Sequence, residues 1–120
     1  MATHLFEVGG NPTFTASASI ANGQLVEVTG PRTAGPASAD STTWLGVASN
    51  DAAAGELFAV LLGGVQRIKV SAGVTAGEQV TTTALGTVGP AAAPAPAEVV
   101  GLAISTASAE GDLVDVIMTR

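Results

Sequence analysis

An internal repeat is the feature of this sequence that most restricts its fold. The run from Ile20 to Thr29 reads as an apolar residue, a glycine turn and a strand, and the same order returns from Val74 to Thr83. Later blocks of the two copies also match in order. Two copies are too few for a solenoid, which needs more stacked units to bury a continuous core. The sequence therefore predicts two pseudo-symmetric halves packed as one domain, with the repeat at residues 18–62 and 72–118.

The composition indicates an all-β fold. The chain has 15 glycines and 6 prolines, and hydrophobic residues make up 47% of it. Gly and Pro disfavour long helices, and β-branched residues suit pleated surfaces. Alternating or continuous apolar runs bounded by turn residues mark the predicted strands. These are Leu25 to Thr29, Leu45 to Ser49, Leu57 to Leu62, Val65 to Val70, Gln79 to Thr83, Val99 to Ser105 and Asp112 to Met118.

Proline and glycine also predict the connections. The Pro-rich segments Gly30 to Thr43 and Ala84 to Glu98 are expected to be long exposed loops with little regular structure, because proline cannot donate to a sheet ladder. Asn22-Gly23 and Gly63-Gly64 have the residue types of two-residue hairpin turns. Antiparallel strand pairs are therefore expected on either side of both turns.

The charge balance argues against nucleic acid as a direct partner. Ten acidic residues face four basic ones, for a net charge of −6, and this composition lacks the basic surface that phosphate binding needs. No signal peptide or membrane-length apolar run is present, which predicts a soluble protein made in the cytoplasm, with no membrane partner. The chain has no cysteine, so association with other subunits is an expected source of stability.

Catalytic and cofactor-binding patterns are not apparent. His4 is the single histidine, with no cysteine or second histidine to complete a triad or a zinc site. Glu110, Asp112 and Asp115 lack the spacing of a calcium loop, and the glycines lack phosphate-binding spacing. We therefore expect no enzymatic activity, no metal and no cofactor.

The N-terminal segment is the best candidate for a partner contact. Residues 1–15 lie outside the repeat and are expected to form an arm, with the β domain spanning residues 16–120. Such a segment can add to an exposed sheet edge of a partner while its apolar side chains enter pockets. The candidate contact residues are His4, Leu5, Phe6, Val8 and Phe14. Trp44, the single tryptophan, is expected in the core or in a subunit contact.

The ordered blocks resemble a known family of proteins. Ala18 to Thr29, Leu45 to Ala48, Asp51 to Glu56 and Val60 to Val65 are similar to the capsid decoration, or cement, proteins of tailed bacteriophages. The strand containing Gly46-Val47-Ala48 is more distantly similar to one in the phage lambda head decoration protein.

This resemblance implies a small β-clip-like barrel or sandwich. It also implies a homotrimer on the outer surface of the virion capsid that bridges neighbouring subunits of the major capsid protein and stabilises the head. Under this interpretation the candidate residues of the arm bind the capsid.

Two other functions remain open from the sequence. Phage tail and fibre structural proteins are also β proteins rich in Gly and Ala and free of cysteine. The turns Ile20 to Gly23 and Val74 to Gly77 resemble those of sugar-acid and antifreeze domains, which makes a small β-clip ligand-binding module the second alternative.

Overall fold

The computed structural model describes residues 12–91 and 96–119, and these residues form an all-β fold. The first half contains β1 (Thr13–Ala16), β2 (Leu25–Gly30), β3 (Thr33–Pro36), β4 (Trp44–Ala48) and β5 (Leu57–Leu61). The second half contains β6 (Val65–Lys69), β7 (Gln79–Thr82), β8 (Val88–Pro90), β9 (Val99–Ala103) and β10 (Leu113–Met118). Short 3₁₀ turns cover Ala84–Gly86 and Pro96–Glu98. The predicted fold class is confirmed.

The first half is a closed barrel with the strand order β1-β3-β2-β4-β5. Strand β1 closes it, because β1 pairs antiparallel with β5 and parallel with β3. Small and branched apolar side chains fill the interior, since alternate residues of each strand point inward. The buried residues of this core are Ala16, Ile20, Val26, Ala34, Ala48, Ala52, Phe58 and Val60.

The second half repeats this arrangement strand by strand. Its sheet runs β6-β10-β9-β7-β8, so β6 takes the place of β1 and β10 the place of β5. In the first half Ala16 pairs parallel with Ala34, and at the matching place in the second half Val70 and Val88 form a parallel bridge. The two halves are therefore pseudo-symmetric, as the repeat predicts.

Side chains that close turns recur in both halves as well. The Glu56 carboxylate accepts a hydrogen bond from Ala53 N at 2.7 Å, and the Asp112 carboxylate accepts one from Ala109 N at 3.1 Å. The matched acids after glycine thus stabilise turns by the same local bond. This pairing explains why an acidic residue stands at both positions.

The expectation of two loops with little regular structure is wrong in one respect, because they contain β3 and β8. Pro36 and Pro90 are the last residues of these strands and pair with Val26 and Val80. A proline at the end of a strand removes no ladder bond from its interior, and β8 is an edge strand. Proline therefore marks the ends of these strands.

The two predicted hairpins are also wrong. Gly63 and Gly64 have the positive φ angles of 61° and 66° that their residue type allows, but β5 pairs with β1 and β4 while β6 pairs with β10. This turn connects the two halves. Asn22-Gly23 leads into β2, whose partners are β3 and β4. Turn chemistry specified the local backbone, whereas barrel closure decided which strands pair.

The expected arm boundary at residue 16 is too far along the chain. The Pro12 carbonyl accepts a hydrogen bond from Val60 N at 3.0 Å, and Thr13–Ala16 is the strand that closes the first barrel. Phe14 is half-buried against the core of this barrel. The chain is therefore part of the barrel from Pro12 onward.

Candidate docking surfaces

The structure separates the predicted contact residues. His4, Leu5, Phe6 and Val8 lie outside the described residues, whereas Phe14 lies in β1 and packs against the core. The part of the predicted arm that the structure describes thus belongs to the barrel. Any contact role for the other four residues remains a prediction.

Trp44 lies where the two halves meet, in the contact that we call the seam. It is 0% exposed and belongs to one buried cluster with Leu25, Ala37 and Val47 of the first half and with interior residues of the second half. Its indole N–H donates to the Ala97 carbonyl at 3.2 Å. Of the two roles that the sequence left open for Trp44, the structure places it in a core contact.

A polar network around Thr82 extends the seam. The Thr82 hydroxyl accepts a hydrogen bond from Ser41 N at 2.7 Å and donates to the Ser38 carbonyl at 2.6 Å. The Asp40 N–H donates to the Thr82 carbonyl at 3.0 Å. Because Thr82 is fully buried, these bonds satisfy groups that water cannot reach.

An exposed ion pair lies on the outer face of the second sheet. The Arg67 guanidinium donates to the Asp115 carboxylate at 2.8 Å, with side-chain exposures of 68% and 31%. The hydrogen bond with Arg67, together with the positive charge of Arg67, holds the pKa of Asp115 below its ordinary value. The same hydrogen bond, and then the negative charge of Asp115, raise the pKa of Arg67. Among the described residues, no group of His, Cys, Asp and Glu is arranged to hold a metal ion.

A shallow cleft of about 490 Å³ on the first half includes two acidic residues, Asp51 and Glu56. The Asp51 carboxylate accepts a hydrogen bond from Asn22 N at 2.7 Å, while Glu56 holds the Ala53 turn. Both acids therefore stabilise local backbone.

Apolar side chains form an exposed row across the second sheet. Val65 of β6 pairs with Ile117 of β10, Ile117 pairs with Leu102 of β9, and Leu102 pairs with Gln79 of β7. Val65, Ile117 and Leu102 are 57%, 47% and 42% exposed. We call these four residues the outer row. A contiguous apolar surface of this kind is typical of interaction sites.

The outer row was not predicted from the sequence. Its signal is the run from Val99 to Ile104, which is apolar at positions facing both sides of the strand. A strand buried on one side alone alternates with polar residues. The second apolar face of β9 is therefore the feature that could have revealed this surface.

Comparison with known proteins shows to which class of protein this chain belongs. The phage cement protein family matches residues 7–118 of the chain. The crystal structure of the N base of head fibre gp8.5 of bacteriophage phi29 has the same fold, with a TM-score of 0.72, 23% identity, and 92% of this chain and 93% of that chain covered. No curated protein sequence matches the chain.

The all-β halves and the family match define a structural protein of a phage head. The chain belongs to the phage cement protein family, since the matched residues span nearly its whole length. The described part of the chain contains no helix long and apolar enough to cross a membrane.

Proposed function

We propose that this protein binds the outer surface of the assembled phage capsid and stabilises the head by bridging neighbouring subunits of the major capsid protein. It acts as a homotrimer. The observation that carries this proposal is the family match over residues 7–118.

The physical basis of such a function is mass action. A protein that binds the assembled shell, but not the free subunits, stabilises the shell by the free energy of that binding. Attachment through several equivalent sites of an oligomer adds avidity without new contacts. The described surfaces suit this role, since Glu56 and Asp112 close turns, Asp115 pairs with Arg67, and three of the four side chains of the outer row are exposed and apolar.

Capsid binding is tested with purified components. Fluorescently labelled protein is mixed with expanded heads that lack it, with unexpanded heads and with free capsid subunits, and bound protein is measured after sedimentation of the heads. Saturable binding to expanded heads alone is expected, together with a higher temperature of DNA release. Equal binding to free subunits, or no change in the release temperature, would contradict the proposal.

The contact with the capsid is proposed to use His4, Leu5, Phe6 and Val8, which precede the barrel. A segment of this composition can add to a sheet edge of a capsid subunit, where main-chain hydrogen bonds supply affinity and apolar side chains fill pockets. A deletion that tests this contact has to end before β1, because a deletion through residue 14 would remove part of that strand.

A deletion of residues 2–11 leaves every described strand in place and removes the proposed contact. We expect the truncated protein to retain its far-UV circular dichroism spectrum and to bind heads at least about tenfold more weakly, a loss of about 1.4 kcal/mol. A second variant replaces Leu5, Phe6 and Val8 with serine in the full-length chain and should weaken binding similarly. Unchanged binding by both variants would reject the arm.

The base of a head fibre is a second candidate function. The favouring observation is the shared fold with the phi29 head fibre base, which covers 93% of that chain. Electron microscopy of virions carrying a tagged version of this protein separates the two functions. Label on the shell with no attached fibre supports capsid cementing, and label at the foot of a fibre supports the base.

A further inference from the structure

The seam joins the two halves of the chain head to tail, by different surfaces. The first half contributes the outer face of β2 and β4, where Leu25 pairs with Val47 and both are buried. The second half contributes the turn between β7 and β8. Gly86 N donates to the Ala37 carbonyl at 3.0 Å, and the Gln24 side-chain amide donates to the Leu85 carbonyl at 3.0 Å.

Each half has both kinds of surface, a face and a turn, and the seam uses the face of the first half and the turn of the second. The face of the second half and the turn of the first half therefore take no part in the seam. The pairing of Gln79 with Leu102 in the second half matches the pairing of Leu25 with Val47, so the outer row is the counterpart of the buried seam face. Leu102 is 42% exposed where Val47 is 3% exposed. The second half therefore carries a seam face that nothing in the described chain covers.

The turn that takes no part in the seam lies in the first half of the chain. In the first half the turn between β2 and β3 occupies the place of the β7–β8 turn, and its Pro31 and Arg32 correspond to Leu85 and Gly86. Both Pro31 and Arg32 are exposed, and Val28, the counterpart of buried Thr82, is 39% exposed. Each chain thus presents one exposed turn and one exposed face.

Charge differences between the halves suit a contact between these two surfaces. The seam brings Gln24 close to Gly86, because a Cβ atom on Gly86 would lie 3.0 Å from Gln24 Cβ. Glu78 stands at the counterpart of Gln24, and Arg32 at the counterpart of Gly86. A second copy would therefore bring a basic side chain toward an acidic one. Because Arg32 has a side chain and Gly86 has none, the two backbones at this contact would lie further apart than the two backbones at the seam.

We propose that a second copy of this chain docks its β2–β3 turn, with Val28, Pro31 and Arg32, onto the outer row of the first copy, with Arg32 facing Glu78. Repetition of a head-to-tail contact gives a closed ring or an open filament. In a ring, the seam within each chain and this contact between chains alternate. This contact rests on the proposed function, because it specifies how the copies of the homotrimer associate. It can be tested without capsids.

The first experiment measures association by sedimentation velocity over a concentration series. The intact chain is expected to form an oligomer. Leu102→Asp places a carboxylate in the outer row and Arg32→Glu reverses the charge of the turn, so each should weaken association at least about tenfold. Leu57→Asp is the matched control, since Leu57 is an exposed leucine of β5 and belongs to neither the β2–β3 turn nor the outer row. The double variant Arg32→Glu with Glu78→Arg should regain association.

The second experiment tests the head-to-tail geometry. Leu102→Asp chains keep an intact turn and Arg32→Glu chains keep an intact face, so an equimolar mixture should form a heterodimer and nothing larger. A symmetric contact of one surface with itself would not give this result. A monomeric intact chain, unchanged association of either variant, or no heterodimer overturns the proposal. Binding of a monomeric chain to heads would leave the proposed capsid binding in place and remove only the self-association.

Discussion

Gly46 and Gly101 occupy the closest approaches between neighbouring strands. A Cβ atom on Gly46 would overlap the Leu61 carbonyl oxygen, and one on Gly101 would overlap the carbonyl oxygen of Ile117 and lie 2.7 Å from Val116 Cγ1. Backbone cannot retreat as a flexible side chain can. Glycine is therefore required at both positions by space and not by φ angle.

Replacement of Gly101 by alanine is expected to lower the free energy of unfolding by about 1–3 kcal/mol, because the added methyl group forces β9 and β10 apart. Urea denaturation followed by circular dichroism measures this change. Gly30→Ala is the control, since the nearest atom to its added Cβ would be Thr33 Cβ at 3.7 Å. Equal effects of the two substitutions would contradict the steric explanation.

The Arg67–Asp115 ion pair gives a pH dependence of known sign. The pKa of Asp115 is lowered in the folded chain, so the pair stabilises the fold above the unfolded pKa and this contribution is lost as the pH falls through the folded pKa. Because both groups are exposed, the effect on stability is small.

We expect Arg67→Ala to raise the pKa of Asp115 toward its ordinary value, measured by NMR titration of the carboxyl carbon. Lys69→Ala is the control, because Lys69 pairs with Leu113 and not with Asp115. A lowered pKa that survives in the Arg67 variant would show another cause.

At the scale of elements, the Thr82 side chain helps to hold the end of β7 to the first half. Thr82→Val keeps nearly the same shape and removes the hydroxyl that bonds Ser41 N and the Ser38 carbonyl. Buried groups that lose their partner cost about 1–3 kcal/mol, so we expect a loss of that size in the free energy of unfolding.

Chemical denaturation of Thr82→Val measures this loss, and Thr33→Val is its control. The Thr33 hydroxyl donates to Pro31 O within an exposed turn, where water can replace it. A loss no larger than that of the control would mean that the Thr82 network does not stabilise the seam.

At the scale of the whole molecule, the seam makes one folding unit of the two halves. Trp44 comes from the first half, yet its cluster consists mostly of side chains from the second half. Its fluorescence should therefore be that of an indole shielded from water. Each half therefore loses buried surface when the seam opens.

We expect unfolding curves from Trp44 fluorescence and from far-UV circular dichroism to coincide, as two-state unfolding requires. Trp44→Ala should lower the free energy of unfolding by about 3–5 kcal/mol through the cavity it leaves. Phe58→Leu, a smaller change inside the first barrel, is the control. A fluorescence transition that precedes the loss of β structure would indicate that the halves unfold separately.

Local patterns determined much of this fold. Val65 to Val70 was predicted as a strand, and its period-two alternation is the one observed, with Ile68 and Val70 buried and Arg67 and Lys69 exposed. The order of matched blocks gave the two pseudo-symmetric halves, because equal sequences with equal turns form equal strands. The predicted strands from β2 to β10 fall within one or two residues of their observed ends, apart from β3 and β8, which lie in Pro-rich segments with weak alternation.

Contacts between distant residues decided the rest. The partners of β1 and β5 depend on barrel closure, which the Gly63-Gly64 turn does not encode. Leu25 and Leu102 are the same type of residue, yet the first is buried in the seam and the second is exposed. Trp44 likewise became a core residue only because the second half packs against it. A side chain's own chemistry sets its preference for burial, and the packing of the two halves sets which side chains obtain it.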